Sequence, residues 1–140
     1  MQINETSAVL AKIQAYSNRN VDKAVILAWH EILEPYALKD CLNAVADHYR
    51  HSKEWLMPAD IVARVKEYRQ ERIDKFRDGI HLSPADERRL LEAGDMAHWR
   101  DTNRRLRTAA ADGELTPEAY EAYQDGRLQL DNITRKEITN

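Results

Sequence analysis

The segment His30-Glu31-Ile32-Leu33-Glu34 begins as a zinc-protease helix does, pairing an imidazole with a carboxylate. Glu34 stands where the second histidine belongs, so the two-histidine site cannot form, and Trp29 and Leu33 give the segment a packing role. His48 and His51 lie three apart on one predicted helix face, a spacing that can aim two imidazoles at one ion. Only Asp47 is close enough in sequence to assist, and the plainer expectation is a pair of surface histidines at a helix end. Cys41 sits beside an apolar stripe and reads as a buried small hydrophobe rather than a nucleophile. No glycine-rich phosphate loop, G-x-S-x-G elbow or carboxylate cluster for two-metal chemistry occurs. The expectation is a protein that is not an enzyme, with no catalytic, metal or cofactor-binding residues.

Two features suit recognition instead. Arg100, Arg104 and Arg107 fall at i, i+4 and i+7, beside Met96, Trp99 and Leu106, and could contact phosphates or an acidic partner. Against that stands a solvated helix face, partly neutralised by neighbours such as Asp101, four residues before Arg105. Trp55-Leu56-Met57 puts three bulky apolar residues into a link directly before Pro58. Such a cluster usually staples the next helix to the core, and an exposed partner-binding patch is the alternative.

The elements that must carry these residues are helical. Asn4 is the predicted N-cap of a first helix over 5–16, with Val9, Leu10, Ile13 and Tyr16 at helical spacing. After the polar break at 17–20, Asp22 precedes Val25, Ile26, Trp29, Ile32, Leu33 and Tyr36, an apolar stripe that only a helix can use. Pro35 ends it. A third helix is predicted over 37–51 with Leu38, Leu42, Val45 and Tyr49 on one face. Pro58 opens a fourth, carrying Ile61, Val62, Val65 and Tyr68. Beyond Tyr68 the charged run reads as a long helix entering solvent, with Arg69 and Arg72 on its arc. Ser83-Pro84 and Gly94 bracket a short helix, Asp95 and Gly113 a longer one, and Thr116-Pro117 opens a last one ending at Gly126. The organisation predicted is all-α: an N-terminal four-helix domain over 1–70, a helical extension or second small unit over 71–126, and a loose tail over 127–140.

With 140 residues, a formal charge of −3, 43% hydrophobic and 32% charged residues and only 4 glycines, the chain is neither disordered nor a turn-rich β-sandwich. The charge excludes a polycationic nucleic-acid coat, although residues 58–111 hold 12 basic against 10 acidic residues while 112–140 hold 3 against 7. No apolar run is long enough for a membrane span, the start Met1-Gln2-Ile3-Asn4-Glu5 lacks signal-peptide character, and one cysteine allows no intrachain disulfide. These features lead us to expect a cytoplasmic protein without membrane attachment.

The series Trp29-x-x-x-Leu33, Ala44-Val45-x-x-His48-Tyr49, Ser52 and Trp55-x-x-Pro58-Ala59-Asp60-Ile61 resembles the N-terminal helical domain of phage replicative-helicase loader/inhibitor proteins. The resemblance covers residues 5–70 and rests on core and capping positions, so it speaks to fold more than to function. It implies a small all-α adaptor, encoded by a phage or prophage and acting in the cytoplasm of a bacterial host. Such a protein binds the hexameric helicase, holds it inactive and helps deliver it to an origin complex. Family members reach the helicase through a flexible C-terminal segment, whereas residues 80–126 here carry helix signals, and no binding residue is transferred. Two other readings stay open: a helical nucleic-acid binder using Arg64, Arg69 and Arg72 with Arg100, Arg104 and Arg107, and a phage inhibitor of another host machine. Trp99 and the charged mid-chain helix leave a homo-oligomer open as well.

Overall fold

The computed structural model describes residues 1–134, and among them the chain is all-helical, with no strand. Helices α1 (Ile3–Tyr16), α2 (Lys23–Leu33), α3 (Leu38–His51) and α4 (Pro58–Asp74) are followed by α5 (Pro84–Ala93), α6 (Met96–Ala111), α7 (Pro117–Gln124) and α8 (Leu130–Ile133). The chain divides into two compact units, one over Met1–Tyr68 and one from Arg69 onward, so α4 contributes its first eleven residues to one and its last six to the other.

In the first unit the apolar stripes of α1 to α4 supply one core. Val9, Leu10, Ile13, Trp29, Leu33, Cys41, Ala44, Val45, Leu56, Ile61 and Val65 are buried together, with Val25, Tyr36, Leu38 and Tyr49 packed at its edge. The i, i+3, i+4 spacing of these residues is what turns each stripe inward. Stripe membership alone does not guarantee burial: Ile32 lies on the α2 stripe yet is about half exposed. The first helix starts earlier than the Asn4 cap predicts. The backbone N–H of Gln2 donates to Glu5 Oε1 at 2.8 Å, so Gln2 is the N-cap and Asn4 lies inside the first turn. Asp22 caps α2 by accepting from the Val25 N–H at 2.9 Å.

The charged run after Tyr68 does not leave for solvent. Ile73 packs on the second core and Phe76 is buried in it, while Arg69 pairs with Asp112 and Arg72 Nη1 donates to the Ala111 carbonyl at 2.9 Å. Charged side chains with long apolar stems read as a solvated face, yet here they bridge to another element. Among the described residues no separate long charged helix follows the four N-terminal ones, since α4 itself carries that run and ends at Asp74.

The second core gathers Phe76, Ile80, Leu82, Leu90, Leu106, Ala109, Ala110, Leu115, Tyr123 and Leu130. Side-chain caps begin α5, α6 and α7: Ser83 Oγ accepts from the Asp86 N–H at 3.2 Å, Asp95 from His98 at 3.0 Å, and Thr116 from Ala119 at 3.1 Å. The extended link 80–83 is clamped by the tyrosines of α7. Tyr120 Oη accepts from the His81 N–H and Tyr123 Oη from the Ser83 N–H, both at 3.1 Å, and Tyr123 donates onward to Asp86 at 2.8 Å. The segment expected to be loose from 127 contains a helical turn, Leu130–Ile133, whose two apolar residues close the core. Residues 135–140 lie outside the described residues.

Candidate protein-binding site

The polar break between α1 and α2 is built as a tight turn. Ser17 Oγ donates back to the Ile13 carbonyl at 3.0 Å, and the Arg19 N–H donates to the Ser17 carbonyl at 2.6 Å. The turn carries the Arg19 side chain inward, where only 6% of the residue is exposed. Trp55 stacks on the guanidinium with 3.9 Å between Cζ and the ring centroid, and Trp29 stands at 5.3 Å. Such cation–π contacts hold the charge without satisfying its N–H groups.

The link before α4 holds Trp55 in that position by pinning its neighbours. His48 Nε2 lies 2.7 Å from the Glu54 carbonyl, which can only accept, so this nitrogen carries the proton. Ser52 Oγ accepts from the Glu54 N–H at 3.0 Å, and Asp60 accepts from the Met57 N–H at 2.8 Å. Leu56 is fully buried and anchors the link from within. Trp55 and Met57, on either side, are 60% and 49% exposed. The cluster Trp55, Leu56, Met57, read as a staple with an exposed patch as the alternative, divides between the two: Leu56 is a core residue, because successive side chains of an extended link point opposite ways, and its neighbours face outward.

Tyr49 completes the surroundings of Arg19. Its ring meets the His48 imidazole edge-on at 4.9 Å and Tyr16 at 5.2 Å, with Tyr16 itself 56% exposed. Burial pushes the Arg19 guanidinium below its usual value, while Tyr49 opposes the shift. The group stays charged nevertheless, as guanidinium does in proteins. Among the described residues, three polar atoms here have no partner and no solvent: Arg19 Nε, Arg19 Nη2 and Tyr49 Oη. Each such group ordinarily costs about 1–3 kcal/mol. The place is thus a buried cation beneath the exposed ring of Trp55.

The other candidates fall out differently. His48 is buried and committed to Glu54 and Tyr49 while His51 is exposed, so the expected pair of surface histidines does not exist. His30 Nδ1 lies 2.9 Å from Thr6 Oγ1, joining α2 to α1. Among the described residues no group of three or more His, Cys, Asp or Glu could hold a metal ion. Cys41 is fully buried, and burial first, Asp40 second, push its thiol up to about 11, which disfavours the reactive thiolate. Arg100, Arg104 and Arg107 lie exposed on α6, and among the described residues none of them forms an ion pair. Asp101 does not partner Arg105, which instead reaches Asp131 at 2.7 Å. Met96, at the first position of α6, is 44% exposed, whereas Leu106 is fully buried. Arg69 and Arg72, expected beside the stripe in a nucleic-acid reading, are spent on Asp112 and Ala111.

No family model, curated protein or solved structure matches this chain. No described helix is long and apolar enough to cross a membrane.

Sequence reasoning did not find Arg19. A lone arginine in Ser17-Asn18-Arg19-Asn20 carries every sign of a solvated loop. Its one usable signal was a cation within reach of two tryptophans, and that needs the fold.

Proposed function

We propose that this chain is a non-enzymatic adaptor that acts by binding another protein, and that the partner is a replicative DNA helicase whose loading or activity it controls. The observation that carries the protein-binding reading is Arg19, buried under the exposed ring of Trp55, with exposed Tyr16 stacked on the neighbouring Tyr49. Trp, Tyr and Arg are the residues that dominate binding energy at protein interfaces, where a desolvated anchor is ringed by partly exposed aromatics. The helicase rests on the resemblance of residues 5–70 to phage helicase loaders, with a phage or prophage origin implied by it. Its support is that Trp29, Leu33, Ala44, Val45, Tyr49 and Ile61 contribute to one core.

The test is size exclusion with light scattering on the chain mixed with the replicative helicase of its host. A stable complex of defined mass is expected, and helicase activity with and without the chain then separates loading from inhibition. A well-folded chain that forms no complex at micromolar concentration removes the helicase. A second reading, nucleic-acid binding through Arg100, Arg104 and Arg107, is favoured by their exposure and by the lack of ion pairs to them among the described residues; its test is the salt dependence of binding to oligo-dT.

A further inference from the structure

The unpartnered atoms around Arg19 have a chemical meaning beyond their cost. Nε–H and Nη2–H are the two parallel donors on one edge of a guanidinium, the edge that takes both oxygens of a carboxylate. Among the described residues both lack an acceptor, in a residue more than nine-tenths buried, and the hydroxyl of Tyr49 is a third buried donor without one. All three remain satisfiable by one kind of group, an anion with at least two acceptor oxygens. Resting on the protein-binding reading above, we infer that Arg19 and Tyr49 receive a single carboxylate from a glutamate or aspartate flanked by apolar residues on the partner protein.

Several features select that ligand. There is one cation here, whereas nucleic-acid affinity accumulates over many phosphates. Residues 1–57 hold 6 basic against 7 acidic residues, so no field gathers a polyanion. The rim is aromatic, with Tyr16 and Trp55 more than half exposed, and it suits apolar residues on either side of the acid. Access requires the cover to move. Among the described residues the Trp55 indole makes no hydrogen bond and is held by stacking on Arg19, so the inferred site requires its rotation off the guanidinium while buried Leu56 keeps the backbone in place. The displaced ring then packs against the apolar flank of the incoming segment.

The probe is the peptide Ac-Ala-Leu-Glu-Phe-Ala-amide, titrated into the full chain while the Arg19 Nε–H resonance is followed by proton–nitrogen NMR. A saturable downfield shift is expected, with the glutamine counterpart at least tenfold weaker. Tyr49→Phe keeps the ring, removes the third donor and weakens the glutamate peptide by about fivefold, the effect of one hydrogen bond. Equal binding of the glutamate and glutamine peptides overturns the inference. So does a shift of Arg19 produced by a twelve-nucleotide oligo-dT and not by the peptide. Arg19→Lys, checked for folding by circular dichroism, separates the two levels of the argument. A helicase complex that survives this substitution undiminished overturns the carboxylate site and leaves the adaptor standing. A peptide that binds where the helicase does not keeps the site and removes the helicase.

Discussion

Single side chains decide more of the first unit than their number suggests. Trp29, 6% exposed, is both a core residue and one of the two rings facing Arg19. Trp29→Ala is expected to cost about 3–5 kcal/mol, as large-to-small core changes do, read as a lower urea midpoint for the first unit. A native-like transition would refute its place in the core. Tyr68 and Asp47 make a second test. The Tyr68 hydroxyl donates to Asp47; that bond is the main reason the carboxyl is held below its ordinary range. Burial first and Asp47 second push Tyr68 up to about 12. Asp47 therefore stabilises the fold above its unfolded value, about 3.9, and that contribution is lost as pH falls through its lower folded value. Tyr68, with its folded value raised, contributes fully below about pH 10 and loses this as pH climbs towards 12. Tyr68→Phe is expected to move the Asp47 titration upward and to flatten the alkaline loss. Carboxyl NMR and urea melts across pH read the two effects, and an unmoved Asp47 titration counts against the bond.

At the scale of elements, the helices of the second unit are set by their ends. Gly94 stops α5 with a φ of +67°, and a Cβ there would meet nothing within 4 Å. Gly94→Ala therefore isolates backbone strain, expected at about 1–2 kcal/mol in thermal or urea unfolding of this unit. A loss near zero would show that the stop relaxes out of the left-handed region. The α8 turn is the other element with a sharp test. Leu130 is 5% exposed and belongs to the second core, so Leu130→Ala is expected to cost about 2–5 kcal/mol. A loose tail would lose nothing measurable, and differential scanning calorimetry distinguishes the two.

For the whole molecule, the distribution of charge matters more than its total. Residues 58–111 carry an excess of positive charge and 112–140 an excess of negative charge. Within the second unit much of it is spent internally, with Arg69 on Asp112 and Arg105 on Asp131. Exposed pairs of this kind add little stability, but they remove cations from any phosphate footprint. Only Arg100, Arg104 and Arg107 remain of the six arginines considered for nucleic acid, apart from Arg64 in the first unit. Three phosphate contacts on a single strand limit the slope of log affinity against log salt to about −2. Fluorescence anisotropy with oligo-dT across a salt series checks this, and a slope steeper than about −4 would show a wider basic surface than these residues supply.

Local chemistry was sufficient for the helical class and for most element ends. Asp22, Ser83, Asp95 and Thr116 announce helix starts because a short polar side chain satisfies N–H groups that the helix itself leaves open. The stripe through Trp29 and Leu33 showed which face turns inward, since a 3.6-residue period is a property of the chain alone. Other outcomes depended on partners far away in sequence. Leu56 and Trp55 are adjacent and equally apolar, yet one is fully buried and the other exposed, according to what lies on each side of the link. Ile73 and Phe76 lie in a charged run, and much of the core they join, Tyr120 against Phe76 among it, comes dozens of positions later. The α8 turn has four residues and no side-chain cap, too little for any periodicity to register. Arg19 is the extreme case: its type and neighbours describe a solvated loop, and only the convergence of Trp29, Tyr49 and Trp55 makes it a buried cation with unanswered donors. Propensity and capping act over one or two turns, whereas burial and desolvation are set by the whole three-dimensional surroundings, and it is desolvation that gives this arginine its chemistry.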